Sequence, residues 1–275
     1  PPHLYLINDM AEKQPNMVFE DSGGGLYKIK GGVGHSDWSA ESMQPHLADK
    51  TLEYLDENKD SDKPFFLYMA LTAPHIPLFP SPEFKGKSKI GDYGDLVMMI
   101  DDIVGRINQK LKEIGKYDDT IVMFAADNGC AGYINMGQIN KKGHYPSYIY
   151  RGYKSHGWEG GHRIPFILSW GDRYGRRTDN SLVSLTDLYA TFADMLGYRA
   201  DAGEAEDSYS FWPILNGTGN SSRTDLIATS GAGYFTYRTP QFKLIFNAGN
   251  GSAEEYRIEG RPSLQLYDMV SDPEE

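Results

Sequence analysis

Cysteine is almost missing from this chain. Cys130 stands alone among 275 residues, which excludes an internal disulfide framework and leaves the redox compartment open. Long apolar runs are missing too: no stretch approaches the ~18 apolar residues that a membrane-spanning helix needs, so no membrane span is expected. Cations are in deficit, with 27 Lys and Arg against 38 Asp and Glu for a net charge of −11. That balance argues against nonspecific binding to nucleic acid or to anionic membranes. It does not exclude a small anionic substrate, because a local pocket can oppose the global field. No signal peptide is visible, and the chain opens on Pro-Pro rather than Met, so a processed product or a fragment is expected. No internal repeat is evident. The triplets headed by Asn216, Asn220 and Asn250 fit the N-glycosylation pattern. In so Gly/Ser/Asn-rich a stretch they are expected to be chance, and they matter only in a eukaryotic secretory protein.

What is present is a core. Hydrophobic residues make up 40% and aromatics 13%, enough for one large domain or one domain plus a small second one. Residues 1–44 are irregular and Gly-rich. Leu47, Thr51, Tyr54 and Leu55 recur at helical spacing and predict a helix over about 45–57. The unbroken apolar run Phe65–Leu71, bounded by Pro64 and Pro74, predicts a strand buried on both faces. Leu96, Met99, Ile100, Ile103, Ile107, Leu111 and Ile114 then mark an amphipathic helix that stops near Gly115. A strand over 120–126 follows, so the order strand, long helix, strand predicts a crossover unit in a parallel sheet. A further strand is expected over 163–170. "SLTDLYATFADMLGY" reads as a helix with Ser184 or Thr186 as N-cap and Gly197 as its stop. From about residue 222, "DLIATSG", "YFTYRT", "FKLIFN" and "LQLYDM" read as short strands of a small antiparallel sheet. The expected division is 1–221 and 222–275.

In an open parallel sheet, ligands bind beyond the carboxyl ends of the strands. The first predicted strand runs into "TAPHIP" and His75; the second ends in "ADNG", at Asp127 and Asn128. Parallelism would place all three on one rim. Asp and Asn oxygens suit a hard cation, Ca²⁺ or Mg²⁺, but two ligands fall short of the 6–8 oxygens that Ca²⁺ takes. Asp-Asn-Gly is also ordinary turn chemistry. Lys154, in "YKSHGWEGGHRIP", could neutralise a tetrahedral anion as a point charge, while Gly160 and Gly161 could bring backbone close to a ligand. The same stretch also reads as a glycine turn among solvated charges.

Taken together, "PFFLYMALTAPHIP", "GDYGDLVMMIDDIVGRI", "TIVMFAADNG", "KSHGWEGGHRIPFI", "VSLTDLYATFADMLG" and "LQLYDMVSDPEE" resemble the sulfatase family in order and spacing, its arylsulfatase and N-acetylgalactosamine-6-sulfatase branch above all. The resemblance runs from about residue 60 to the end. It implies an α/β, alkaline-phosphatase-like sandwich. In that fold a mostly parallel central sheet, here incomplete at the N-terminus, adjoins a small C-terminal antiparallel sheet. It implies that Asp127 and Asn128 ligate Ca²⁺, with Mg²⁺ the weaker candidate, and that Lys154 binds sulfate oxygens. His75 would contact the sulfate ester and protonate the leaving oxygen. It implies a sulfated small molecule or carbohydrate as partner and a periplasmic or secreted location. Around this set, His144 and Tyr145 could touch substrate, and His162 and Arg163 border the glycine turn and could line the pocket, with Arg163 rather expected to pack or pair near the strand start. Trp158 reads equally as a pocket wall or a structural plug.

Two family features are absent from the sequence. The nucleophile of the family is a formylglycine made from a C/S-x-P-S-R motif, and Cys130, followed by Ala-Gly-Tyr, does not fit it; a small semi-buried thiol is expected instead. The family's N-terminal Asp pair is missing too, since Asp101 and Asp102 lie within the long helix and read as solvated charges. The expectation is therefore the C-terminal portion of a sulfatase, inactive alone, that needs its N-terminal portion as partner and leaves apolar edges exposed without it. Two alternatives stay open at this point: a phosphodiesterase or phosphonate hydrolase of the same superfold, and a non-catalytic binding protein.

Overall fold

The computed structural model describes residues 2–201, 203–251 and 263–275. Ser252, the hydroxyl residue of the Asn250 triplet, lies outside them. In order, the elements begin with β1 (Leu6–Ile7), β2 (Met10–Ala11), β3 (Met17–Phe19), β4 (Gly32–Gly34), α1 (Met43–Glu57), α2 (Asp92–Glu113) and β5 (Ile121–Ala125). They continue through α3 (Met136–Lys141), α4 (Glu159–His162), β6 (Phe166–Trp170), α5 (Leu188–Leu196) and α6 (Trp212–Leu215). The last four are β7 (Leu226–Thr229), β8 (Phe235–Arg238), β9 (Phe242–Ile245) and β10 (Gln265–Asp268). The described residues divide into two compact units. The first comprises 1–123, 133–144 and 168–174, and the second 124–132, 145–167 and 175–275. β5 and β6 pair with each other, and each contributes residues to both units.

In the first unit, β1 pairs with β2 and β3 with β4, both antiparallel, so the Gly-rich opening folds as short hairpins. Helix α1 buries Gln44, Ala48, Thr51 and Leu55, and α2 buries Leu96, Met99, Ile100, Ile103 and Leu111. These are the three-to-four-residue stripes that let two helices pack. Asp92 and Asp95 in the first turn of α2 and Lys110 and Lys112 in its last complement the helix dipole. Asp95 is fully buried and accepts from the Gly86 N–H at 2.7 Å and from the Ser88 N–H, which ties the preceding loop to the helix. Asp101 and Asp102 are exposed, as their position on the outer face of α2 requires.

Residues 65–71 differ from expectation. They alternate between half-buried and exposed, but they form no ladder with any described strand. Met69 and Leu71 pack against the core formed by Ala48, Leu78, Phe84, Leu96, Met99 and Ile103, whereas Phe66 and Tyr68 are 75% and 82% exposed. An apolar run is buried on both faces only where something covers both. Here the core covers one. The crossover unit predicted from 65–71, the long helix and β5 is therefore not closed by a strand at its first arm.

In the second unit β7–β10 form a four-stranded antiparallel meander in the order β10-β9-β8-β7. All four strands fall where the short alternating segments predict them. α5 is entered through a capping box: Ser184 accepts from the Thr186 N–H while Asp187 accepts from the Ser184 N–H at 2.8 Å. The helix stops at Gly197, whose φ of 67° lies in the left-handed region. Asp187 is fully buried and also takes a 2.9 Å bond from Nε of the buried Arg223. That pair, with the Tyr209 N–H on the second carboxylate oxygen at 3.0 Å, fixes the chain around α5. The chain as a whole is α/β with a C-terminal antiparallel sheet of four strands.

Candidate active site

β5 delivers Asp127 to an exposed position and Asn128 to a half-buried one. The Asn128 amide nitrogen donates to the Gly129 carbonyl at 3.1 Å, which leaves Oδ1 available as an acceptor. Neither that oxygen nor the Asp127 carboxylate accepts a hydrogen bond from the described residues. The turn beyond them is clamped: the Gly129 N–H donates to the Gly161 carbonyl at 2.9 Å, and the Lys154 N–H to the Cys130 carbonyl at 2.8 Å. A Cβ on Gly129 would overlap the Gly160 carbonyl oxygen, so glycine is required here by close approach of two backbones. "ADNG" and "EGG", about thirty residues apart in the chain, are thus one packed structure. Lys154 is half-buried, and its ammonium makes no salt bridge among the described residues. Cys130 is semi-buried, in line with its expected packing role.

The turn is held from behind by a buried charge cluster. Glu159, at the start of α4, is buried and pairs with the Lys243 ammonium at 3.0 Å, with Arg163 at 3.5 Å and with Arg238 at 3.6 Å. Burial by itself would raise its carboxyl, but Lys243, Arg238 and Arg163 outweigh that and hold it below the ordinary carboxylate value. Lys243 also lies 3.1 Å from Oε1 of Glu275. The contact is close enough for strong charge attraction, and Oε1 has no other partner among the described residues. Glu275 also accepts from the Glu159 N–H. Desolvation pushes the Glu275 carboxyl up to about 7 against the pull of Lys243. This cluster was not anticipated from sequence. The available signal was Lys243 itself, which shares an alternating register with Ile245 on the buried face of β9.

His162 is half-buried and its Nε2 lies 3.1 Å from the Thr229 carbonyl. A carbonyl can only accept, so Nε2 carries the proton and Nδ1 is the free acceptor. Burial, then the nearby Lys243, lowers its basicity, which keeps the ring neutral. Trp158 is a plug: its indole N–H donates to Gln265 at 3.2 Å and its ring is covered by Arg151 at 3.9 Å.

His75 and His144 belong to the first unit. Both are exposed. Nδ1 of His75 lies 2.8 Å from the Ile76 carbonyl, and its ring meets Tyr133 edge-on at 6.0 Å. A common rim for His75, Asp127 and Asn128 requires residues 65–71 to be a strand of the β5 sheet, and among the described residues they pair with no strand. Among them no group of three or more His, Cys, Asp and Glu residues gathers as a metal would require. Asp127 and Asn128 have the donor chemistry of a hard-cation site but not the number of ligands.

The elements define an α/β chain with a four-stranded C-terminal antiparallel sheet, and the solved structures it matches have the alkaline-phosphatase-like fold. A solved structure described as concerning metabolism of multiple glycosaminoglycans by Bacteroides thetaiotaomicron matches with a TM-score of 0.78 and 29% identity, over 89% of this chain and 52% of that one. A sulfatase from Pseudoalteromonas sp. matches with a TM-score of 0.73 and 25% identity, over 90% and 49%. The sulfatase family profile matches residues 7–198. Among curated proteins, N-acetylgalactosamine-6-O-sulfatase of Bacteroides thetaiotaomicron is 31% identical over 86% of this chain and 47% of its own length. Arylsulfatase of Hemicentrotus pulcherrimus is 31% identical over 81% and 39%. The chain belongs to the sulfatase family, and it spans about half or less of the length of these relatives.

Proposed function

We propose that this chain carries part of the active site of a sulfuric ester hydrolase acting on sulfate monoesters of a carbohydrate or an aryl alcohol. The observation that carries the reading is the clamped pair of turns. The 2.9 Å and 2.8 Å backbone bonds tie the segments of Asp127, Asn128 and Lys154 together, and the Asp127 carboxylate, the Asn128 side-chain oxygen and the Lys154 ammonium have no hydrogen-bond or ion-pair partner among the described residues. Sulfuryl transfer needs charge compensation on the sulfate oxygens and a proton for the leaving alkoxide.

Lys154 is assigned to the sulfate oxygens and His75 to protonation of the leaving oxygen. Asp127 and Asn128 are assigned to holding Ca²⁺, with Mg²⁺ the weaker candidate because it demands octahedral geometry. His144 is assigned to substrate contact, and His162 offers Nδ1 to a substrate hydroxyl. When bound, the calcium ion would withdraw charge from the ester and a formylglycine would supply the nucleophile. The chain carries no C/S-x-P-S-R motif and its described residues gather too few ligands for the ion, so the N-terminal portion of the family fold is the proposed partner, and it would cover the exposed rings of Phe66 and Tyr68. A periplasmic or secreted location is proposed from family membership. No described helix is long and apolar enough to cross a membrane.

The test uses the longer protein that contains this chain, assayed on sulfate and phosphate esters with and without Ca²⁺. Sulfate monoesters should be turned over preferentially. Asp127→Ala should weaken Ca²⁺ binding by about tenfold or more by calorimetry, as loss of a carboxylate ligand predicts. Lys154→Ala or His75→Ala should lower kcat by roughly 10²-fold or more with unchanged circular dichroism. Wild-type rates in both, or a preference for phosphate esters, would refute the assignment.

A further inference from the structure

We infer that the exposed tyrosines of residues 145–153 form a stacking platform for the pyranose rings of a sulfated saccharide, ending at Lys154. This rests on the proposed function and names its substrate class: a sugar chain rather than a small aryl ester.

Four tyrosines fall within nine residues, in "YPSYIYRGY". Tyr145 is 59% exposed, Tyr148 69% and Tyr153 39%. So dense an exposed aromatic group marks an interaction surface. Tyrosine supplies rigid, amphipathic contact area at low entropic cost, and the C–H face of a pyranose is its apolar complement.

Two of the rings, those of Tyr148 and Tyr150, are held by neighbours. Tyr148 meets Tyr150 edge-on at 5.8 Å, and Tyr150 is backed by the Arg163 guanidinium at 4.6 Å. Tyr148 itself has a φ of 53°, a conformation that a bulky side chain rarely adopts and that concentrates at ligand sites. The platform abuts the candidate site directly, since the Tyr153 ring occupies the space that a Cβ on Gly132 would fill, just beyond "ADNG".

Charge selects the occupant. The chain is strongly acidic, yet between residues 145 and 163 Arg151, Lys154 and Arg163 face a single acid, Glu159. Arg151 is engaged by Trp158 and by the Glu275 carbonyl at 3.0 Å, and Arg163 by Tyr150 and Glu159. Lys154, next to Tyr153, is left for an anion. A neutral glycan would not use it, and a basic partner would be repelled.

The test titrates the longer protein that contains this chain, its turnover slowed by His75→Ala, with a chondroitin 6-sulfate hexasaccharide and its desulfated counterpart. Tyr145→Ala/Tyr148→Ala should weaken binding of the sulfated probe by about tenfold, and Tyr145→Phe/Tyr148→Phe should retain it. Lys154→Ala should abolish the difference between the two probes. An alanine pair that binds like the His75→Ala parent, or equal binding of both probes by that parent, overturns the inference.

In the longer protein, the ratio of kcat/KM on a sulfated oligosaccharide to that on 4-nitrophenyl sulfate should fall about tenfold in the alanine pair. If the ratio holds while both esters are cleaved, this inference fails and the proposed function stands. If no sulfate ester is cleaved but saccharide binding still depends on the tyrosine rings, the reverse is true.

Discussion

Lys243→Met removes the cation on which the back of the candidate site is built. The ammonium is 1% exposed and lies 3.0 Å from Glu159 and 3.1 Å from Glu275. Removing one partner of a buried ion pair costs about 3–5 kcal/mol, because the other charge is left buried and uncompensated. Glu159 keeps Arg163 and Arg238 at 3.5 and 3.6 Å, so most of the loss falls on Glu275.

That makes the loss depend on pH. The Glu275 carboxyl rises from 4.5 to about 7 on folding. A raised acid favours the folded state fully below its unfolded value, and that contribution is lost as pH climbs through the folded value. At about 1.4 kcal/mol per unit, the wild-type protein loses up to about 3 kcal/mol between pH 4.5 and pH 7 through this group. Without Lys243 the carboxylate has lost its counter-charge, so the deficit of the variant should be greatest above pH 7. At pH 5, where Glu275 is protonated, it should shrink to about 2 kcal/mol or less. Urea unfolding at pH 5, 6.5 and 8, followed by circular dichroism, reads this directly. Adding Glu275→Gln should restore part of the stability at pH 8 and little at pH 5. A deficit within about 0.5 kcal/mol at pH 8, or one that does not change with pH, would refute the reasoning.

Two further outcomes follow from packing. Gly129→Ala drives a Cβ into the Gly160 carbonyl and should cost about 1–3 kcal/mol by overpacking. It should also weaken Ca²⁺ affinity in the longer protein, which calorimetry measures, because Asp127 and Asn128 ride on that turn. Arg223→Met leaves the fully buried Asp187 without its cation and should cost about 3–5 kcal/mol in urea unfolding, whereas Asp187→Asn/Arg223→Met should recover part of it.

Elements whose information is local were legible in the sequence. The helical stripes of α1 and α2, the Ser184 box and Gly197 stop around α5, and the four alternating strands from Leu226 onward each carry their own period and punctuation. The run Phe65–Leu71 was not legible, because an apolar run states that burial is wanted but not that a partner strand is there to provide it. Lys243 was passed over for the opposite reason. A lysine within an alternating strand reads as solvent-facing, and only the carboxylates of Glu159 and Glu275, 84 and 32 positions away in the chain, make its inward position tenable.

The sequence by itself determined the class of chain, the position of most elements and the residue types suited to a hard cation and a tetrahedral anion, since composition, period and motif order are properties of neighbours along the backbone. Only the tertiary structure decided that "ADNG" and "EGG" interlock through two glycines, that a buried lysine braces them from behind, and that one face of residues 65–71 is open. Each of those depends on groups far apart in the chain meeting within a few ångströms, and no local pattern encodes such a meeting.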